Sequence, residues 1–153
     1  MKSLEKESQS AVGARCAKRE QLQVRVIVES AEVEWFDRVL AQEHYLGKTP
    51  PVGDFLRQVF ERGGRAMALL VWGSAARKLK DREQWNGWSA SQQGERLKVV
   101  VQNRRYLLLH ASGENPNLAS QALAAACRAL PAQWQVRFGY RVLLAESFTD
   151  PES

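Results

Sequence analysis

The stretch YLLLHASGENPNLAS, residues 106–120, turns from strand into helix within a few residues, and this junction constrains the fold more than any other segment. Tyr106-Leu107-Leu108-Leu109 is apolar on both faces, so it reads as a buried strand covered on two sides. Asn115-Pro116-Asn117 predicts a helix start, with Asn115 as N-cap and Pro116 at the first helical position. A strand buried on both faces and followed directly by a helix belongs to an α/β arrangement. Backbone N–H groups at such a junction lack intrahelical partners and point at whatever lies there. Three uses stay open for it: a phosphate site, a catalytic pocket, or a connection of the fold alone.

The remaining elements follow from periodicity and punctuation. QLQVRVIV, 21–28, alternates as a strand does, and Ser30 is placed to cap the segment after it. Val33, Phe36, Val39 and Leu40 fall at helical spacing, and GKTPPVG breaks that helix. DFLRQVF and RAMALLVW flank ERGG, the pattern of a hairpin. A basic connection, 73–97, reads as helical in pieces. KVVVQNRRYLLL is a long strand whose polar QNRR predicts a bulge or an opening in the sheet. A helix follows, with Leu118, Leu123, Cys127 and Leu130 on one face and a break at Pro131, then a last strand over 141–148. The expectation is one α/β domain, residues 21–150, built on a mixed sheet flanked by helices. Residues 1–20 are polar and are expected to be a disordered tail.

Charge is unevenly distributed. Residues 62–105 hold ten Lys and Arg against three acids, a local +7, while the whole chain carries +5. A concentrated basic stretch fits a polyanionic partner, nucleic acid first, or simply a solvated face. Arg77, Lys78, Lys80 and Arg82 lie beside Trp85 and Trp88, and cations interleaved with aromatics suit single-stranded nucleic acid. The two cysteines, Cys16 and Cys127, do not predict a disulfide, and neither they nor His44 and His110 have metal-ligand spacing. No metal and no cofactor are expected. The absence of a long apolar run and of a secretory h-region predicts a cytoplasmic protein without membrane contact.

EHYLGKTPPVGDFLR, GWS with ERLKVVVQNRRYLLL, NLAS, and LLAESFTDPE occur in an order and spacing that resemble the Druantia anti-phage defence protein A (DruA) family. The resemblance runs over about residues 22–152. It implies a role in anti-phage defence, or in a mobile element beside transposases, together with partner proteins of such a system. The family order of elements in turn looks like an N-acyltransferase (GNAT-like) fold. There a splayed strand, here Gln102–Arg105, meets a helix start, here Asn115–Ser120, that cradles acyl-CoA. This chain has His110 where the family strand ends in proline. It also stops soon after the E-x-F-x-D ending, so the C-terminal part of the fold is expected to be missing. The junction GENPNLAS holds one glycine and a proline, unlike a Gly-rich pyrophosphate loop, so coenzyme A binding does not follow.

Candidate site residues are these. Asn117 and Ser120 either cap the helix or face a phosphate or carboxylate. His44, beside Tyr45 at a helix end, is either held by the helix dipole or a general base near Glu146 or Asp150. Glu146 follows an apolar strand, a common place for a catalytic carboxylate. Arg57 and Arg105, each within a strand, are inward charges that need a mate, with Glu146 one choice. Arg105, Asn117, Ser120 and Glu146 are expected around one polar pocket. The competing functions are a nucleic-acid-associated module, an acyltransferase-like enzyme acting on a nucleic acid or small molecule, and an inactive fragment of one.

Overall fold

The computed structural model describes residues 21–43, 52–110 and 115–148. Five strands make one sheet in the order β1 (Leu22–Val26), β2 (Phe55–Arg62), β3 (Arg65–Ser74), β4 (Val100–Leu108) and β5 (Leu144–Ser147). The first three pairings are antiparallel and β4–β5 is parallel, so the sheet is mixed. Helix α1 (Ser30–Glu43) follows β1; α2 (Lys80–Asn86), α3 (Ala90–Arg96) and a 3-10 turn (Leu97–Val99) connect β3 to β4; α4 (Leu118–Phe138) carries the chain from β4 to β5. The expected tail, residues 1–20, lies outside the described residues.

Each face of the sheet has its own helix. Phe36 and Leu40 of α1 pack on Ile27, Val59, Leu69 and Val71. On the other face Leu118, Ala122, Ala126, Leu130 and Trp134 of α4 cover Leu56, Phe60, Ala68, Leu70 and Trp72. The central strand β3 is therefore buried continuously from Met67 to Gly73, which explains its unbroken apolar run. The β2–β3 turn is the two residues Gly63 (φ 58°) and Gly64 (φ 80°). Positive φ at both is the hairpin turn whose twist matches the flanking strands.

Three local expectations are corrected. The buried stripe of α4 runs every fourth residue through two alanines, and Cys127 is on the exposed side. Small residues let the helix approach the sheet closely, and that favours Ala122 and Ala126 over the larger side chains. Pro131 does not break α4, because buried Leu130 and Trp134 on either side of it hold both halves to the sheet. The helix also starts two residues later than its cap residues suggest. Asn117 sits at the N-cap in the left-handed region (φ 64°) without a side-chain cap, and Leu118 is the first helical residue. Asn115 is not free to cap, since its Oδ1 accepts a hydrogen bond from Arg62.

Among the described residues the buried polar side chains are Arg82 and Gln58, the latter completely buried on the α4 side of β2. Its Oε1 accepts from Trp72 Nε1 at 2.6 Å. Its Nε2 donates to the Ala126 carbonyl at 3.2 Å and to Gln133 Oε1 at 2.7 Å. Gln133 in turn donates to the Val24 carbonyl at 2.9 Å, on the edge strand β1. Every polar atom of the Gln58 amide is satisfied, so the network links β1, β2, β3 and α4 without an orphaned group at Gln58. Gln58→Leu leaves the Trp72 indole N–H buried and unpaired. It should lower unfolding free energy by about 2–3 kcal/mol in urea denaturation. Adding Trp72→Phe should recover part of that loss; a fully additive double variant would show that the two side chains do not act together.

Candidate functional site

Strand β4 is irregular at its polar centre. Asn103 pairs with Trp72 and Arg105 with Val71, so Arg104 is an extra residue, a bulge. Pairing with β5 runs over Val100–Asn103, the last pair meeting Ser147 at the end of β5. QNRR therefore carries a bulge, one of the two irregularities its sequence suggests. Arg104 lies over Gly73, where an added Cβ would come within 3.2 Å of the Arg104 side chain, and it donates to the Ser74 carbonyl. Gln102 Oε1, Asn103 Nδ2 and Arg104 Nε are buried without partners among the described residues.

The predicted pocket of Arg105, Asn117, Ser120 and Glu146 does not form as one site. Glu146, on β5 opposite Gln102, is held by Arg82 of α2: Nη1 lies 3.0 and 3.2 Å from the two carboxylate oxygens. The Arg82 side chain is 3% exposed, and its Nη2 donates to the Ala76 carbonyl. This pair ties the β3–α2 connection to the last strand. Arg105 instead donates to the Arg104 carbonyl at 2.7 Å, while the Glu146 carboxylate is taken by Arg82. Ser120 lines a different groove of about 500 Å³, between the start of β1 and α4, together with Leu22, Gln23 and Arg128. Asn117 is exposed at the α4 start.

Arg57 also has another mate than Glu146. Its Nε and Nη2 donate in parallel to the two oxygens of Asp37, each at 2.8 Å, and its guanidinium lies 4.8 Å from the centre of the Phe55 ring. This is a fork-to-fork pair between β2 and α1. His44 and Asp150 lie outside the described residues. The junction that opened the sequence is pinned by Arg62, which donates to Asn115 and to Gln121 Oε1 at 3.1 and 2.8 Å. Tyr106 donates its hydroxyl to the Ala119 carbonyl in the first turn of α4. Burial pushes that phenol up to about 12, so it is a neutral donor at physiological pH.

The basic connection divides into two kinds of cation. Arg82 is internal, so it is removed from the expected nucleic-acid set. Arg77, Lys78 and Lys80 are exposed, and none forms an ion pair among the described residues. Trp85 stands 75% exposed beside them on α2. Trp88 is half-buried, with the Arg96 guanidinium 5.8 Å from its ring centre. Sequence reasoning missed Arg82, Asp37 and Gln58. For Arg82 a signal existed: Leu79, Arg82 and Asn86 share the inward face of one short helix, at spacings of three and four.

A family model described as Druantia protein DruA matches residues 5–152. The chain belongs to this family. No curated protein matches it. Among solved structures, this DruA-family chain is similar to AAC(6')-Iy, described in complex with the bisubstrate analogue CoA-S-monomethyl-acetylneamine. The TM-score is 0.52 at 16% identity, over 87% of this chain and 82% of that one. At that identity the likeness concerns the fold, which is of the N-acetyltransferase (GNAT) type, as the element order of the DruA resemblance implies. Among the described residues no helix is long and apolar enough to cross a membrane.

The Arg82–Glu146 and Arg57–Asp37 ion pairs of the DruA-family chain should respond differently to loss of the cation. Arg82→Leu strands the Glu146 carboxylate, whose side chain is 13% exposed, and should cost about 3–5 kcal/mol. Arg57→Leu leaves Asp37, at 40% exposure, free to meet water and should cost about 1 kcal/mol or less. Paired urea melts measure both; equal losses would mean that burial does not set the difference.

Proposed function

We propose that this DruA-family chain serves an anti-phage defence system or a mobile element as a nucleic-acid-associated module, its working unit residues 21–150, in the cytoplasm with partner proteins. One observation carries the reading. Trp85 stands exposed on a short helix whose neighbours Arg77, Lys78 and Lys80 are exposed cations without ion-pair partners among the described residues. An aromatic face for a base and unpaired cations for phosphates are what single-stranded nucleic acid requires. Binding of this kind is weak and indifferent to most sequence, because phosphate contacts position without specifying.

A second reading rests on the GNAT-type fold with its bulged strand β4. It is an acyltransferase-like enzyme acting on a nucleic acid or small molecule, with Glu146 and His44 as candidate catalytic groups. The α4 start argues against a coenzyme A site. Pro116 has no N–H to offer a pyrophosphate, and Asn117 is in the left-handed region rather than opening a helical N–H array.

Fluorescence anisotropy with a labelled single-stranded oligonucleotide separates the two. Affinity should fall steeply from 50 to 200 mM salt, and Arg77/Lys78/Lys80→Ser should reduce the log–log salt slope by about 2, at about 0.7 per phosphate contact. Unchanged affinity of the triple variant at low salt refutes the nucleic-acid reading. Micromolar, saturable acetyl-CoA binding in calorimetry, lost on Asn117→Ala or Ser120→Ala, establishes the enzyme reading instead.

A further inference from the structure

A cavity of about 280 Å³ lies between α2 and β5. Leu79, Trp85, Leu144 and Ala145 form its apolar walls; Arg82 and Glu146 supply the polar side, with Asp81 also lining it. It is smaller than the roughly 300–1,000 Å³ of sites for drug-sized ligands, and suits one planar ring. Nothing in the fold explains why Trp85 stays 75% exposed here, since burial against Leu144 would remove more of its apolar surface from water.

The polar side is selective in character. Arg82 Nη1 bridges both oxygens of Glu146 at 3.0 and 3.2 Å, and its Nη2 is occupied by the Ala76 carbonyl. The arginine has no accessible donor left for a ligand, because Nε is also buried. A carboxylate has about four lone-pair positions, and Arg82 is the single hydrogen-bond donor that Glu146 meets among the described residues. What the cavity offers is therefore an acceptor next to an aromatic face. The complementary ligand is a flat ring bearing an N–H donor. Exposed Arg77 and Lys78 just ahead of α2, and Lys80 at its start, give the same place a claim on phosphates.

We infer that this cavity receives one unstacked base of a single-stranded nucleic acid, stacked on Trp85 and donating an exocyclic amino hydrogen to Glu146. The inference deepens the nucleic-acid reading and rests on it. Cytosine presents such an amino group on its pairing edge; thymine presents a carbonyl oxygen at that position, and its one N–H on that edge lies between two carbonyl oxygens that would face the carboxylate. The cavity thus prefers amino-bearing bases, although the phosphate contacts do not discriminate.

The test compares labelled (dC)12 and (dT)12 with the full chain by anisotropy across a salt series. Wild type should bind (dC)12 at least about fivefold tighter, in line with one base contact. Trp85→Ala, at an exposed position, should weaken (dC)12 binding about tenfold and leave the salt slope unchanged, because stacking releases no counterions. Glu146→Gln, checked for folding by circular dichroism, should bring the two affinities together. If wild type binds both oligonucleotides in a salt-dependent way but without preference, or Trp85→Ala has no effect, the base pocket is wrong and the nucleic-acid reading stands. If wild type binds neither at 50 mM salt, both fall together. The wild-type comparison and Trp85→Ala decide the matter even if the Glu146 variant fails to fold.

Discussion

The Gln58 amide holds the architecture together. It sits at the centre of the sheet face under α4, where an unpaired amide would cost more than the packing around it gains. Its partners come from elements far apart in the chain: Trp72, Ala126 and Gln133. The Ala126 carbonyl lies in the helical turn that Pro131 weakens, because proline gives Cys127 no N–H and crowds the turn before it. A side chain from the sheet meets the helix in that turn. This contact fixes the middle of α4 on the sheet, and Arg62 fixes its start.

The chain's arginines show how charge and structure are divided. Arg25 links Glu32 of α1 and Glu61 of β2, and both partners raise its pKa further. Arg57 joins β2 to α1, Arg62 fixes the α4 start, and Arg82 fixes α2 to β5. Arg104 closes the bulge over Gly73. These side chains staple the layers, and they account for much of the local positive charge without making it available to a partner. Arg77, Lys78 and Lys80 stay exposed around the start of α2, as do Arg96, Lys98, Arg128, Arg137 and Arg141 elsewhere. Net charge alone cannot separate the two groups.

The connection between β3 and β4 is added to a shared frame. The sheet and its two covering helices are of the GNAT type, as the similarity to AAC(6')-Iy indicates, and such a frame hosts many activities. The α2–α3 segment is packed on that frame through Arg82, with a capping box at Ser89 and Gln92 that starts α3 on its own. Its outward side carries exposed Trp85, with Arg77, Lys78 and Lys80, which form no ion pair among the described residues, beside it.

The sequence by itself determined the elements, the hairpin at Gly63-Gly64, the mixed α/β class and the family. Each of these rests on local signals: period two or 3.6, paired glycines, and short motifs in order. The polar QNRR announced the bulge, in which Arg104 is the extra residue while its neighbours stay paired with β3. The partners were decided only by the tertiary structure. Glu146 meets Arg82, 64 residues away in the chain, and Arg57 meets Asp37, 20 residues away, where the sequence offered Arg105 and Glu146 as plausible mates. Cap residues at Asn115-Pro116 looked sufficient for a helix start until Arg62 claimed the asparagine. An ion pair needs proximity within about 4 Å, and proximity between distant residues is set by register, bulge and helix placement together. No spacing in a linear chain encodes that distance.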